Sequence, residues 1–233
     1  MKRPPLNEIL AGLSYLEMGT RPSLNLYEGW QDATPPGIDP NIWTTVVAGT
    51  GAVTRSTAEA AYLKAILTGP TNADTARLYS VAQWPCGPTL WGADMLYKRF
   101  VLAWEAKFAT VASIDNAAFF MGLAPTAGAT RATAELIGFY LSADVLRSLT
   151  DDGGVETTNA MGAPVLTNWH LYTIEVYAGG VVFYIDGAAV ALHATNLPDY
   201  NFHLTWYLPQ EAAANGGELH IGALGCYYQP VVR

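Results

Sequence analysis

The alternation of apolar and polar residues is clearest between residues 169 and 198. Two runs alternate with period two, Leu171–Tyr177 and Val181–Ile185, and residues 178–180 (Ala-Gly-Gly) separate them. Two alternating runs joined by a short glycine-containing segment predict a β-hairpin. Asp186 and Gly187 give a second turn signal, and residues 188–193 predict a third strand. The segment is therefore predicted to be a three-stranded β-meander.

The remainder of the chain shows the same short period from residue 23 onward. Further strands are predicted at residues 24–30, 43–47, 53–56, 61–67, 76–83, 99–111, 118–123, 136–141, 145–149, 203–208 and 218–228. Glycine, proline and asparagine separate them, and residues 84–94 are predicted to be a Pro/Gly-rich loop. Many short strands with almost no helix are typical of a two-sheet antiparallel sandwich. We expect an all-β jelly-roll sandwich over residues 23–233, in one domain.

Residues 1–22 differ from this pattern. Their apolar residues recur at helical spacing and Gly19 stands where a helix would end, which predicts a short amphipathic helix on an N-terminal arm. The stripe consists of Leu6, Ile9, Leu10, Leu13 and Leu16. It is a candidate interface, and the sequence leaves open whether it packs on its own domain or docks on a neighbouring subunit.

Composition narrows the functional classes. The chain is 51% hydrophobic and 14% charged, which favours a folded body with a large core. The net charge of −8, without a cluster of basic residues, argues against a nucleic-acid partner. No apolar run reaches the roughly 18 residues of a membrane span, and no signal peptide is evident. Cys86 and Cys226 are predicted to be free thiols, although a disulfide between them stays open.

Two stretches of the meander carry a family resemblance. Residues 169–175 (WHLYTIE) and 183–187 (FYIDG) resemble a signature of the concanavalin A-like and laminin-G-like β-sandwich superfamily. The resemblance implies the fold. It does not choose a function, because lectins, glycosidases and viral structural proteins all use this fold.

The laminarinase-like branch of this superfamily implies a test for catalysis. Its catalytic acids lie on one strand in an E-x-D-x-x-E pattern, and the order of segments aligns that strand with residues 134–140. Glu135 is the sole acid there, since Ile137 and Phe139-Tyr140 occupy the other acidic positions. Glycosidic hydrolysis needs two carboxylates. We therefore expect no catalytic residues and no enzyme activity.

Metal sites are also not expected. The histidines lack metal-ligand spacing and are predicted to hydrogen-bond within the sandwich; they are His170, His193, His203 and His220. The laminin-G-like resemblance implies calcium bound by loop aspartates, for which Asp151, Asp152 and Asp199 are candidates. No dense calcium-binding loop is present, so the sequence predicts no cofactor.

Aromatic residues offer a second kind of site, because flat rings with polar edges can stack on sugars. Trp104 and Trp169 are predicted to lie in the core. The candidate glycan platform consists of Trp84, Trp91, Trp206 and Tyr207, which fall near predicted loops or the last strands.

Residues 137–144, 169–170 and 184–187 are similar to segments of β-sandwich proteins from tailed bacteriophages. This resemblance implies a non-enzymatic virion protein, such as a capsid decoration, that is assembled in the host cytoplasm. Its expected partners are other virion subunits, such as a major capsid protein, and further copies of itself. The alternatives are a glycan-binding lectin-like module and a laminarinase-like glycoside hydrolase, the latter disfavoured by its incomplete acid motif.

Overall fold

The described part of the chain consists of strands and turns. The computed structural model describes residues 25–28, 40–56, 64–69, 75–86, 97–109, 119–126, 135–142, 144–161, 165–208 and 217–230. Sixteen strands run through these residues, and no helix occurs among them. The strands are β1 (Asn25–Glu28), β2 (Trp43–Ala48), β3 (Ala52–Ser56), β4 (Lys64–Gly69), β5 (Thr75–Ser80), β6 (Trp84–Cys86), β7 (Tyr97–Phe108), β8 (Phe119–Ala124), β9 (Leu136–Ser142), β10 (Val145–Asp151), β11 (Glu156–Ala160), β12 (His170–Tyr177), β13 (Gly180–Ile185), β14 (Ala188–His193), β15 (Tyr200–Leu208) and β16 (Gly217–Pro230).

The strands form two antiparallel sheets. Sheet A has the order β14-β13-β12-β7-β16-β4-β3, with β1 also paired to β16. Sheet B has the order β11-β10-β9-β8-β15-β5-β2, with β6 also paired to β15. The chain crosses repeatedly from one sheet to the other, as in a jelly roll. The predicted all-β two-sheet sandwich is confirmed.

The core lies between the sheets because alternate residues of each strand face inward. Its centre is a cluster of aromatic rings in edge-to-face or stacked contact. Trp206 packs against Trp43 and Trp104 with centroid distances of 5.7 and 5.8 Å. Trp104 also stacks on Tyr172 at 5.8 Å, and Phe139 contacts Tyr172 at 5.1 Å. These rings are at most 2% exposed, which confirms the prediction that Trp104 is a core residue.

The predicted meander is confirmed as β12, β13 and β14 at one end of sheet A. Asp186 and Gly187 form its second turn with φ angles of 54° and 80°, a conformation that a two-residue hairpin turn requires. Every residue of β8 is buried, in agreement with its uniformly apolar sequence.

Two strands were not predicted. β6 falls in the segment predicted to be a Pro/Gly-rich loop, and its three residues pair with β15. β11 has the sequence ETTNA, and pairing with β10 rather than an apolar alternation makes it a strand. The N-terminal arm with Leu6, Ile9, Leu10, Leu13 and Leu16 lies outside the described residues. No helix long and apolar enough to cross a membrane occurs in the described ranges.

Candidate functional site

The laminarinase-like resemblance places the expected catalytic acids on the strand that the structure shows as β9 of sheet B. On β9, Ile137 and Phe139 belong to the core between the sheets, whereas Leu136 and Tyr140 belong to a second apolar cluster outside sheet B. Of the expected acidic positions, Ile137 and Phe139 therefore face inward and Tyr140 faces outward. Period two fixes Leu136, Gly138 and Tyr140 as the outward residues, and none of them is an acid.

Glu135 itself lies just before β9. A Cβ atom at Gly153 would lie 3.4 Å from its Cγ atom, so Glu135 contacts the turn after β10. That turn holds Asp151 and Asp152, whose carboxylates accept backbone N–H groups. Asp151 Oδ1 accepts from Gly153 at 2.9 Å and Asp152 Oδ1 accepts from Val155 at 3.1 Å. Burial raises the pKa of Asp151, and the backbone hydrogen bond from Gly153 partly opposes this shift.

One row of side chains crosses the centre of this outer face in register. Arg77, Tyr207, Phe120, Tyr140 and Arg147 lie opposite one another on β5, β15, β8, β9 and β10. The three rings are at most 2% exposed. The Arg77 guanidinium lies 4.5 Å from the centroid of the Tyr207 ring, and burial lowers its pKa. The row therefore supplies apolar packing between two cations and contains no carboxylate.

A glycine pair next to this row explains how closely its rings pack. Gly122 and Gly138 face each other on β8 and β9. A Cβ atom on Gly138 would lie 2.7 Å from the Phe120 ring and 2.5 Å from the Met121 carbonyl oxygen. The Phe120 ring therefore occupies the space above Gly138 that a side chain would need.

All four histidines are hydrogen-bonded, as the sequence predicted. His170 Nδ1 lies 2.8 Å from Asp186 Oδ2, and its Nε2 lies 3.0 Å from the Val165 carbonyl oxygen, both within hydrogen-bond distance. His203 Nδ1 donates to the Ser80 carbonyl at 2.6 Å, and His220 donates to Glu218.

His193 contacts two hydroxyl groups, those of Ser148 at 2.8 Å and Thr150 at 2.9 Å. Burial lowers its pKa to about 4. Within the described ranges, no three His, Cys, Asp or Glu side chains cluster as metal ligands would.

The predicted glycan platform is wrong for three of its four residues. Trp84 is 5% exposed, Trp206 is fully buried and Tyr207 is 1% exposed, so none of these rings presents a face to solvent. Trp206 faces the core, while Trp84 packs against Phe100 and Tyr228. Trp91 lies outside the described residues. Cys226 is buried on β16, and the Cys86 side chain lies outside the description.

Trp169, which was predicted to be a core residue, lies instead at the surface of sheet A. Among the tryptophans that the structure describes, its side chain is the one that is not buried. Trp169 shares the outward parity of Leu171, Thr173 and Glu175 on β12, whereas Tyr172 and Ile174 face the core. The alternation of β12 was therefore a sufficient signal for its position.

Polar and charged side chains surround Trp169. Lys107 Nζ lies 5.1 Å from the centroid of the indole, and the His220 ring lies 6.4 Å away. Glu105 and Trp169 meet at Gly222, in the part of β16 where the register shifts between Ile221 and Leu224. A Cβ atom at Gly222 would lie 3.3 Å from the indole and 3.0 Å from Glu105 Oε2. With Glu218 bound to His220, this patch offers donors and acceptors beside a partly exposed ring. We name Glu105, Lys107, Trp169, Glu218 and His220 the Trp169 patch.

The comparisons with known proteins concern the fold. No protein-family model and no curated protein sequence matches this chain. Bacillus licheniformis β-glucanase is similar with a TM-score of 0.58 at 14% identity, over 90% of this chain and 99% of the enzyme. The binding domain of botulinum neurotoxin DC, in complex with rat synaptotagmin II, is similar with a TM-score of 0.58 at 11% identity. That match covers 90% of this chain and 49% of the toxin chain, so this chain spans about half its length.

Alginate lyase AlyC3, in complex with dimannuronate, is similar with a TM-score of 0.52 at 11% identity, over 72% of this chain and 76% of the lyase. These neighbours include two enzymes and a toxin binding domain, and the expected likeness to bacteriophage virion proteins has no counterpart among them. The chain is a jelly-roll β-sandwich, consistent with the concanavalin A-like fold.

Proposed function

We propose that this chain is a non-catalytic structural subunit of a larger assembly, of the kind that forms a virus particle. The outer face of sheet B carries the argument. Residues 136–140 of β9 offer no carboxylate on either face, since Ile137 and Phe139 belong to the core and the outer face of sheet B has buried apolar rings at its centre. The nearby aspartates Asp151 and Asp152 accept backbone hydrogen bonds in a turn.

The exposed surface supports the assembly role. Several large apolar side chains are about half exposed or more, including Val47 at 51%, Val155 at 58%, Val165 at 62% and Leu192 at 57%. The chain also contains few charged residues, 14% of its length. A surface with few charges and exposed aliphatic residues is suited to burial against neighbouring subunits.

Native mass and particle association test this role. We expect the untagged protein to be oligomeric and to co-sediment with virus particles from the cells that produce it. We also expect no turnover of laminarin or lichenan. A monomer that associates with no particle contradicts the structural role. Turnover that disappears in Glu135→Gln contradicts the non-catalytic role.

A second candidate function, glycan binding, rests on the Trp169 patch. An indole face can stack on the apolar face of a sugar ring, and adjacent carboxylate and ammonium groups can hydrogen-bond its hydroxyls. Glu105, Lys107, Glu218 and His220 supply such groups around Trp169. This site lies on sheet A and is separate from the buried rings of sheet B.

A glycan array, followed by titration with the best-bound free oligosaccharide, tests this second function. Trp169→Ala should weaken the binding by at least about tenfold, equivalent to roughly 1.4 kcal/mol. Tyr184→Ala is the matched control, because Tyr184 is another partly exposed aromatic residue on the outer side of sheet A, between the core residues Phe183 and Ile185 of β13. Equal binding by the Trp169→Ala variant and the wild type would exclude the patch as the glycan site.

A further inference from the structure

The edge of sheet B at β2 is exposed and uncharged. β2 pairs with β5 on one side, and no other described strand pairs with it. Residues 45–50 are all exposed, with Val46 at 45% and Val47 at 51%. Residues 40–54 contain no charged side chain. An edge strand of this kind presents unpaired N–H and C=O groups to any strand that can approach it.

The other edge strands carry features that protect against such pairing, and β2 does not. β14 contains a bulge, since the register shifts so that Phe183 lies opposite Ala191 and Tyr184 opposite Ala189. β11 begins with the exposed acid Glu156, and β3 contains Arg55. In contrast, β2 pairs with β5 in unbroken register over six residues and contains no proline. Bulges and charges are the usual means by which proteins prevent edge-to-edge association.

We propose that β2 pairs antiparallel with β2 of a second copy of this chain, so that sheet B continues across a two-fold axis. This inference rests on the proposed structural role and names the partner. Charge favours a second copy at this edge. Two chains of net charge −8 repel each other over most surfaces, but the strip of residues 40–54 brings no like charges into contact.

Arg77 is the charged residue in register with Val46 on the neighbouring strand. Across the proposed axis, the two copies of Arg77 would be three strand spacings apart, about 14 Å. This separation exceeds the Debye length of about 8 Å at physiological salt. The guanidinium also lies against the Tyr207 ring, which is on the side away from β2. Arg77 therefore does not oppose the pairing.

Symmetry restricts the register of this pairing. Residues directly opposite each other in an antiparallel pair point to the same face of the sheet, so the two residue numbers must have an even sum. The central registers therefore place Val46 opposite Val46 or Thr45 opposite Thr45. A residue that lies opposite its own copy can be cross-linked when it is replaced by cysteine, because facing Cα atoms are about 4.5–5.5 Å apart, within disulfide range.

Sedimentation velocity of the full chain at several concentrations tests the proposal. The wild type should form a dimer. The dissociation constant of this dimer should rise at least about tenfold in Val46→Lys and in Val47→Lys, because each substitution places like charges close together at the two-fold axis. Leu192→Lys is the matched control, with the same change of charge at a residue 57% exposed on the bulged edge strand β14, and it should associate as the wild type does. Under oxidation, Thr45→Cys or Val46→Cys should form a disulfide-linked dimer.

The outcomes separate this inference from the proposed function. If the wild type is oligomeric but neither lysine variant weakens it and neither cysteine cross-links, the β2 pairing is wrong and the structural role stands. If the wild type is monomeric at every concentration, the β2 pairing is also wrong. The structural role fails only if the monomer binds no particle as well. Equal weakening by Leu192→Lys would show a general charge effect and would also overturn the β2 assignment.

Discussion

His193 should make this protein less stable in mild acid. Its ring is 1% exposed and lies between the hydroxyls of Ser148 and Thr150, which joins the edge strand β14 of sheet A to β10 of sheet B. Both partners are neutral, and burial lowers the pKa of His193 to about 4 from an ordinary value of 6.5. The unfolded chain therefore takes up this proton at a higher pH than the folded chain does.

The sign and size of the effect follow from proton linkage. At pH 7.5 and above His193 is almost fully unprotonated in both states, so this residue makes almost no pH-dependent contribution. As the pH falls below 6.5, the unfolded state gains the proton first and the free energy of unfolding decreases. With pKa values of 6.5 and about 4, the loss between pH 7.5 and pH 5 is about 2 kcal/mol. The loss levels off at about 3 kcal/mol below pH 4.

Urea unfolding at a series of pH values measures this loss, and a variant isolates the residue. His193→Gln keeps a donor and an acceptor but does not titrate. It should be less stable than the wild type at neutral pH and should lack the loss of about 2 kcal/mol between pH 7.5 and pH 5. The reasoning is refuted if His193→Gln loses as much stability on acidification as the wild type.

Two further substitutions test packing. Tyr172→Phe should leave the free energy of unfolding unchanged or raise it by up to about 1 kcal/mol. The reason is that the buried hydroxyl has no hydrogen-bond partner among the described atoms. A thermal melt that shows a clear loss of stability would contradict this prediction. Gly138→Ala should lower the free energy of unfolding by about 1–3 kcal/mol, because its Cβ would meet the Met121 carbonyl and the Phe120 ring. Gly154→Ala is the control: there is open space at that position, so the free energy of unfolding should stay within about 0.5 kcal/mol of the wild type. Equal urea midpoints for the two alanine variants would contradict this prediction, because they would show that the Phe120 ring can pack above a side chain at position 138.

The local pattern of residues was sufficient for all the described strands except β6 and β11, and for the side to which most residues point. Alternation predicted β12, β13 and β14 close to their observed bounds, and the same alternation places Trp169 on the outer side of sheet A. It also explains the buried face of β9, once the register is taken from the core residues Ile137 and Phe139. Period two is a property of the backbone, so it holds wherever a strand forms.

Tertiary structure decided which faces are covered and which strands lie at an edge. Trp206 and Tyr207 are adjacent and point to opposite sides of sheet B, yet both are buried, because a second apolar cluster lies outside that sheet. β2 is an edge strand because nothing pairs beyond it in the described order of sheet B. Burial and edge position depend on contacts between residues far apart in the chain, and no local alternation encodes them. The local sequence pattern determined where most of the strands form, and the pairing of the strands made β6 and β11 strands and decided which surfaces remain for a partner.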